Sequence, residues 1–275
     1  MSPWDAIHQI NTGAKYFSTF DCKKGYWQVP LAENSKDYTT FLCSLGKFRY
    51  TRAPMGFISA GDSYNQRGDK AMAGLKGITK ISDDILIASE TFEGHMEDVI
   101  DLLKTCRGSN ITLNRKKMML GRSKVKFAGY MVGQRGIEVD PEKIETLNMF
   151  PTPATRQDLR SFIGLINHFR QFNHAVSKNS CRMKPLLSSR GQYIWLPEHQ
   201  KEFEELKQEL AQTKSLAHFD PRAETRLETD ASRLKGFGYA LQQKQDGDWK
   251  LVAAGSRYLK DVETRYAMVE LEALV

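Results

Sequence analysis

Cysteine is scarce in this sequence, and its few copies are scattered. The four cysteines are Cys22, Cys43, Cys106 and Cys181. None of them forms a CxxC pair, which argues against a structural zinc site. Four thiols spread over 275 residues also do not resemble the disulfide framework of a small secreted domain. We therefore expect reduced thiols in an intracellular protein.

Long apolar runs are also lacking. No run of about 18 apolar residues is present, so we expect no transmembrane helix and no membrane partner. The opening residues Met1 to Asp5 lack the basic and then apolar pattern of a secretory signal. The length of 275 residues predicts two or three domains, and a hydrophobic content of 40% is ample for packed cores.

Acidic residues are missing from one long stretch of the chain. Residues 104–126 contain eight lysines and arginines and no Asp or Glu. Residues 151–190 carry seven basic residues against one acid, Asp158. Such blocks fit contact with the phosphate backbone of a nucleic acid, which weakens as salt rises. One block alone is usually a solvated surface, but two blocks and a net charge of +7 favour a nucleic-acid partner.

Two adjacent carboxylates, Asp83 and Asp84, lie between the β-branched residues Ile78, Thr79 and Ile81 and the apolar run 85–87. Neighbouring side chains in a strand point to opposite faces, so two adjacent acids in a regular strand cannot serve one site. A tight turn between two strands removes this problem and places Asp83 at its tip. Asp-Asp turns are common, so this stretch alone favours a solvated hairpin turn.

A third acid, Asp21, ends another short strand that is predicted to begin at Tyr16. One acid at a strand end and an acid pair on a hairpin suit a site for two divalent cations. Shared carboxylate oxygens hold such cations, which clamp the attacking and leaving oxygens of a phosphoryl transfer.

Three stretches together resemble the motifs of reverse transcriptases: Phe20-Asp21 with Tyr26, then Arg52 to Gly56, then Ser82-Asp83-Asp84. Their order and spacing are most similar to the Pol polyprotein of gypsy-type LTR retrotransposons, over nearly the whole chain. The resemblance implies an α+β fold. It consists of a right-hand polymerase palm, with an antiparallel sheet and helices, a helical thumb and an incomplete ribonuclease H-like α/β domain.

The resemblance also implies a chemistry for the acids. Asp21 and Asp83 would ligate two Mg²⁺ ions, with Mn²⁺ as an alternative, and Asp84 would shape the site. The implied activity is RNA-directed DNA polymerisation, a nucleotidyl transfer. The primer 3′-hydroxyl attacks the α-phosphate of a dNTP, and pyrophosphate leaves. The implied partners are an RNA template, a DNA primer, the RNA–DNA hybrid and dNTPs.

Further residues take roles through the same resemblance. Tyr26 matches the ring that excludes a ribose 2′-hydroxyl, and Gly56 would allow close approach of the nucleotide. Lys116 or Lys117 would contact the leaving phosphates or donate a proton to them. Ala128-Gly129-Tyr130 match the hairpin that positions the primer end.

The last part of the sequence predicts three strands, a turn at Asp246-Gly247-Asp248 and a helix from Tyr266. This pattern resembles the start of a ribonuclease H domain. Asp230 matches its first metal-binding acid, and the helix acid is Glu272 or Glu270, with Glu272 preferred from its spacing after Tyr266. The further strands and acids of that domain are missing, so we expect no ribonuclease activity from this chain.

Helical spacing predicts which faces are buried. From Phe92 to Arg107 the predicted core face consists of Phe92, Met96, Val99, Ile100, Leu103 and Cys106. Thr155 to Asp158 should cap the helix whose buried stripe is Leu159, Phe162, Ile163, Ile166 and Phe169. We also expect Trp27 to be a core aromatic and His95 to be an exposed or capping residue.

We expect four segments along the chain. They are a reverse transcriptase palm over 1–135 with most of the fingers missing, thumb-like helices over 136–175, a connection over 176–222 and the ribonuclease H-like part over 223–275. The missing fingers motivate a second hypothesis, a catalytically inactive nucleic-acid-binding remnant of such a polyprotein. A third hypothesis, a structural or protein-interaction module, predicts no salt-sensitive binding to a primer–template.

Overall fold

The computed structural model describes most of the chain in two compact units. The described residues are 7, 10, 13–173, 180, 182–189, 191–213, 215–232, 236–257, 259–260 and 262–274. The first unit comprises residues 1–128 with 132–134, and the second comprises residues 129–131 with 135–275. Met1 to Asp5 and Cys181 lie outside the described residues, and the division into four segments stays a prediction.

The first unit contains seven strands and three helices among its described residues. In chain order they are β1 (Tyr16–Asp21), α1 (Glu33–Lys36), β2 (Phe41–Cys43), β3 (Gly46–Phe48), α2 (Ile58–Met72), β4 (Ile78–Ile81), β5 (Asp84–Ser89), α3 (Phe92–Gly108), β6 (Met119–Arg122) and β7 (Lys124–Phe127). Short 3₁₀ helices lie at Gly25–Gln28 and Asp37–Thr39. The strand β8 (Tyr130–Gly133) contains the division between the units.

An antiparallel sheet in the order β4-β5-β1-β6 forms the centre of this unit. All four residues of the run 85–88 in β5 are buried, which is why β5 reads as an apolar run rather than an alternating strand. Phe20, Ile85 and Ile87 form a core with side chains from α2 and α3. The sheet is thus rigidly packed next to the acids at its end.

The buried face of α3 differs from the predicted one. Val99 and Cys106 are buried as predicted, but His95 and Leu102 complete the inner face. Four predicted core residues are more than 40% exposed, namely Phe92, Met96, Ile100 and Leu103. The helix carries two adjacent stripes of side chains at helical spacing, one that includes His95 and Val99 and one that includes Met96 and Ile100. The stripe with His95 faces inward because polar partners on the sheet satisfy its ring.

Trp27 is not the core aromatic that the sequence predicts. Its side chain is 40% exposed, and its ring contacts Tyr50 at 5.6 Å between centroids. Trp27 lies in the 3₁₀ turn that follows β1, so no strand directs its ring into the core.

The second unit combines helices with a separate sheet. Its further elements are β9 (Gly136–Val139), α4 (Pro141–Met149), α5 (Arg156–Ile166), α6 (Pro197–Ala211), β10 (Thr225–Ser232), β11 (Gly236–Gln245), β12 (Asp248–Arg257) and α7 (Met268–Ala273). Short 3₁₀ helices lie at Lys184–Leu187 and Glu263–Arg265. Among the described residues of both units, no helix has the length and apolar character needed to cross a bilayer.

The start of α5 confirms the predicted cap. Thr155 Oγ1 accepts from the Asp158 amide at 3.1 Å, and Asp158 Oδ2 accepts from the Thr155 amide at 2.9 Å. The predicted stripe of α5 is buried throughout. Within this core, the rings of Phe162 and Phe203 lie 4.6 Å apart, so α5 packs against α6.

The sheet of the second unit is an antiparallel meander in the order β10-β11-β12. Its second turn lies at the predicted position, with Asp246 at φ 55° and Gly247 at φ 89°. Leu271 of α7 is fully buried against Ala231 and Phe237. The strands and the helix predicted for this region are therefore confirmed.

Candidate active site

Three aspartates converge at one end of the central sheet of the first unit. Asp21 is the last residue of β1 and pairs directly with Asp84, the first residue of β5. Paired residues of antiparallel strands project to the same face, with Cβ atoms about 5 Å apart. Asp83 lies in the two-residue turn before β5, where Ser82 takes a left-handed φ of 50°. The turn removes the strand alternation and leaves both adjacent acids at this end of the sheet.

Backbone hydrogen bonds fix the acids in place. The Cys22 amide donates to the Asp83 carbonyl at 2.8 Å, which ties β1 to the hairpin turn. The Asn114 amide donates to the Asp21 carbonyl at 2.7 Å, and Asn114 Nδ2 donates to Asp21 Oδ1 at 3.3 Å. Sequence reasoning missed Asn114, because its role depends on a contact between residues that are far apart in the chain.

The acids repel one another, and one lysine offsets part of their charge. Lys117 Nζ donates to Asp21 Oδ2 at 2.8 Å, and this bond raises the pKa of Lys117. Partial loss of water, together with the charges of Asp21 and Asp83, raises the pKa of Asp84, while Lys117 acts in the opposite direction. The end of the sheet therefore favours additional positive charge.

These residues suit hard divalent cations by the chemistry of their oxygen donors. Asp21 and Asp83 would supply carboxylate oxygens, and Asp84 would be their neighbour on the same end of the sheet. Asp83 Oδ1 is buried, and neither it nor Tyr64 Oη has a hydrogen-bond partner among the described residues. Within the described part of the chain, no three acid, histidine or cysteine side chains are arranged closely enough to surround an ion.

The structure separates the two candidate lysines. Lys117 Nζ reaches Asp21, whereas Lys116 is tied to the loop only through its backbone amide, which donates to Asn114 Oδ1 at 3.2 Å. Lys116 itself is exposed. Of the two candidates, the structure brings Lys117 to the acids.

The residues predicted to contact a nucleotide lie on two different segments. Tyr26 is half-buried in the 3₁₀ helix after β1, and its ring lies 5.3 Å from that of Tyr64. Gly56 is exposed, and a Cβ placed on it would meet no atom within 4 Å. Open space at Gly56 is compatible with a bound ligand, and no contact within the chain requires a glycine there.

The predicted primer-positioning residues form a tight turn. Ala128 and Gly129 both take left-handed conformations, with φ of 50° and 85°. In the second unit, Tyr130 is buried, its ring lies 5.8 Å from that of Phe172, and Lys143 Nζ lies 5.4 Å from its centroid. Packing accounts for Tyr130, and its role with a primer stays a prediction.

The ribonuclease H-like acids lie on β10 and α7 of the second unit. Asp230 is exposed and pairs across the sheet with Gly238. The Glu270 carboxylate accepts from the Ala267 amide at 2.7 Å and so caps the start of α7. Because Glu270 is used in this cap, Glu272 remains the better candidate for the helix acid.

Part of the second basic block is structural rather than exposed. Arg156 donates to the carbonyls of Leu186 and Gly191 at 3.1 and 2.7 Å, which fastens the 3₁₀ helix at Lys184–Leu187 and the chain after it to α5. Arg160 is exposed, and its guanidinium donates to its helix neighbour Gln157 at 3.2 Å. Arg160 is therefore the better candidate for a phosphate contact.

Comparison with protein families agrees with the motifs. Residues 3–132 match the family described as reverse transcriptase (RNA-dependent DNA polymerase), and residues 195–275 match the RNase H-like domain found in reverse transcriptase. A segment similar to the reverse transcriptase family thus precedes a segment similar to its RNase H-like domain, and neither match includes residues 133–194.

Retrotransposon Pol polyproteins are similar to this sequence over nearly the whole chain. The Transposon Tf2-3 polyprotein of Schizosaccharomyces pombe is 28% identical over 95% of this chain. The Retrovirus-related Pol polyprotein from transposon 412 of Drosophila melanogaster is 28% identical over 98% of it. The chain spans 20% and 22% of the length of these relatives. The predicted resemblance to a retrotransposon Pol polyprotein is confirmed.

Solved structures share the fold. The foamy viral protease-reverse transcriptase in complex with RNA/DNA hybrid has a TM-score of 0.86 and 23% identity, over 98% of this chain and 36% of that one. The foamy viral protease-reverse transcriptase dRH in complex with double-stranded DNA also has a TM-score of 0.86, with 23% identity over 100% of this chain and 48% of that one. The predicted α+β class with palm, thumb and ribonuclease H-like parts is confirmed.

Proposed function

We propose that this chain carries the RNA-directed DNA polymerase centre of a retrotransposon Pol polyprotein. It would extend a DNA primer on an RNA template by transferring a nucleotide from a dNTP to the primer 3′-hydroxyl. The observation that carries this proposal is the convergence of Asp21, Asp83 and Asp84 at one end of the sheet, with Lys117 beside them. Family membership of residues 3–132 supports it.

The chain's own residues prepare this centre for polyphosphate chemistry. Two Mg²⁺ ions, or Mn²⁺ in their place, would activate the primer hydroxyl and offset charge on the transferred phosphate when bound by Asp21 and Asp83. Asn114 and Cys22 hold the backbone of the two acids, so their carboxylates need little rearrangement. Lys117 is 65% exposed on a flexible stem, so its ammonium can turn from Asp21 to the phosphates of an incoming dNTP.

The exposed part of the first basic block supports a nucleic-acid partner. Arg107, Arg115 and Lys116 are exposed, and none of them forms a salt bridge within the described part of the chain. Side chains of this kind contact phosphates without reading sequence. The template, the primer and their hybrid would bind through such contacts, with an affinity that falls as salt rises.

Primer extension on an RNA template tests the polymerase directly. The chain is supplied with Mg²⁺ and dNTPs and compared with Asp83→Asn and with the matched control Asp101→Asn, an exposed aspartate of α3. We expect synthesis by the chain and by the control, and a loss of at least about 100-fold in Asp83→Asn, because a metal ligand is removed. Equal synthesis by Asp83→Asn would refute the role of Asp83.

A second candidate function is a nucleic-acid-binding remnant without catalysis. The exposed arginines and lysine at 107, 115 and 116 favour it, because they bind phosphate whether or not the acids are active. Salt-sensitive binding to a primer–template without synthesis in Mg²⁺ or Mn²⁺ would support this candidate.

We also propose that the chain does not hydrolyse the RNA of a hybrid, and metal-dependent cutting of an RNA–DNA hybrid would contradict this.

A further inference from the structure

We propose that Tyr64 is a positioning residue of the polymerase centre. Its hydroxyl donates a hydrogen bond to Asp83 Oδ1, and this bond leaves the other carboxylate oxygen of Asp83 available to a metal ion. The inference rests on the proposed function, because it takes Asp83 as a metal ligand. It assigns a role to a residue of α2 that lies outside the three sequence motifs.

Two buried atoms without partners carry the inference. Tyr64 Oη and Asp83 Oδ1 are both buried, and neither has a hydrogen-bond partner among the described residues. A hydroxyl is a donor, and a carboxylate oxygen accepts, so the two atoms complement each other. Buried polar atoms in native proteins are almost always paired. Each of these two atoms therefore requires a partner of the kind that the other provides.

Gly25 shows that the two atoms face the same space. A Cβ placed on Gly25 would lie 2.3 Å from Asp83 Oδ1 and 2.9 Å from Tyr64 Oη. No side chain separates the hydroxyl from the carboxylate, because the residue between them has none. A small rotation of the Asp83 carboxyl would bring the two oxygens to hydrogen-bond distance, about 2.7 Å.

The environment of Tyr64 keeps the hydroxyl protonated and its ring in place. Burial, followed by the nearby thiol of Cys22 and the carboxylate of Asp83, raises the pKa of Tyr64 well above its ordinary range. The side chain is 6% exposed, and its ring packs against that of Tyr26 at 5.3 Å. A fixed, protonated hydroxyl that faces a carboxylate oxygen is a suitable donor to it.

A second contact joins α2 to the strand that precedes the Asp83 turn. Lys80 of β4 donates to Asp69 Oδ1 at 3.1 Å and to Asn65 Oδ1 at 3.3 Å. The Lys80 side chain is only 6% exposed, and its Nζ lies 5.5 Å from the centroid of the Tyr64 ring. Because this pair holds α2 against β4, the distance from Tyr64 to the turn is set by packing rather than by a mobile loop.

Metal binding by the full chain tests the inference without relying on activity. Free Mn²⁺ is measured from its EPR signal during titration of the chain and of Tyr64→Phe, Tyr16→Phe and Asp83→Asn. Tyr16→Phe is the matched control, because it removes a tyrosine hydroxyl at the other end of β1, where Tyr16 pairs with Ser89. We expect Tyr64→Phe to bind Mn²⁺ about 10-fold more weakly, as is typical when a partner of a metal ligand is lost. Tyr16→Phe should bind like the unchanged chain.

Primer extension adds a readout that a purely structural role of Tyr64 would not change. Loss of the positioning bond should lower kcat by about 10-fold and leave the KM for dNTP within about 2-fold, because the hydroxyl acts through Asp83. Thermal unfolding of each variant checks that the chain is folded during the titrations.

Each outcome decides between the inference and the function on which it rests. Weaker Mn²⁺ binding in Tyr64→Phe, with Tyr16→Phe unchanged, supports the positioning role. If Tyr64→Phe binds Mn²⁺ like the unchanged chain while Asp83→Asn does not, the positioning role is refuted and the metal site remains. If Asp83→Asn binds as tightly as the unchanged chain, both the metal site and the positioning role are refuted.

Discussion

Replacement of His95 by alanine should destabilise the first unit substantially. The His95 ring is 1% exposed, and Ser18 Oγ lies 2.6 Å from its Nε2 while Ser89 Oγ lies 3.0 Å from its Nδ1. Ser89 donates to Asp98 Oδ2 at 2.7 Å, so its oxygen must accept from Nδ1–H. Nε2 then accepts from Ser18, whose oxygen also accepts from the Gly121 amide at 2.9 Å. The network therefore fixes a neutral His95 with its proton on Nδ1.

The size of the effect follows from the bonds of His95. Alanine removes two hydrogen bonds worth about 1 kcal/mol each, and it leaves the buried Ser18 hydroxyl without an acceptor, at a cost of about 1 kcal/mol or more. We therefore expect His95→Ala to lower the free energy of unfolding by about 3 kcal/mol. A loss of this size is a large part of the total stability of a typical domain.

The pH dependence gives a second test of the His95 network. Burial lowers the pKa of His95 below its ordinary value of 6.5, against the opposing effect of the Asp98 charge. Below pH 6.5 the unfolded chain binds a proton at His95 more readily than the folded chain does, so stability falls as the pH falls. His95→Ala lacks this contribution, so its difference from the unchanged chain should shrink from pH 7 to about pH 5.

Hydrogen exchange followed by mass spectrometry would localise the effect. Peptides from β1 and α3 should exchange faster in His95→Ala, and urea unfolding gives the free energy. His168→Ala, an exposed histidine of the second unit, is the control and should stay within about 0.5 kcal/mol. Unchanged exchange in β1 and α3, or a difference that stays constant with pH, would refute the assigned network.

Two further predictions concern the second unit. Gly136 has φ of 119°, and a Cβ on it would lie 1.9 Å from the Leu216 carbonyl oxygen. Gly136→Ala should therefore lower the free energy of unfolding of this unit by about 3 kcal/mol, measured by urea unfolding. A free energy close to that of the unchanged chain would contradict this. Glu263 accepts two bonds from Arg257, at 2.7 and 3.0 Å, which help to lower the pKa of Glu263 from 4.5 to about 2. Glu263→Gln should therefore melt at a lower temperature than the unchanged chain at pH 7. This difference in melting temperature should disappear as the pH falls from 4.5 to about 2. A difference that persists at about pH 2 would exclude the ion pair as its cause.

Local patterns of the sequence predicted the parts of the fold that depend on near neighbours. The cap at Thr155 and Asp158, the buried stripe of α5 and the turn at Asp246 and Gly247 all lie where the sequence placed them. Caps and tight turns depend on a few adjacent side chains, so one sequence contains the information that they need.

The inner face of α3 could not be read in the same way. Two apolar stripes compete on this helix, and the outcome depends on Ser18, which is 77 positions away from His95 in the chain. A histidine on an apolar helix is a poor core residue until polar partners are known. Only the packed structure supplies those partners.

The candidate site was predictable in its acids and less so in its supporting residues. The motifs predicted that Asp21, Asp83 and Asp84 would meet, and the strand register brings them to one end of a sheet. The choice of Lys117 over Lys116 depends on a loop tied down by Asn114, which no local pattern reveals.

The pairing of Asp21 with Asp84 makes the chemistry sensitive to insertions and deletions. One residue added to β1 or β5 would shift the register, and because strand side chains alternate, it would move one acid to the opposite face. The hairpin tolerates a substitution of Ser82 more easily than a change in its length, because the φ of 50° at this position also suits Asn, Asp or Gly. Variation in this hairpin should therefore preserve the number of residues between the two strands more strictly than the identity of the residue before Asp83.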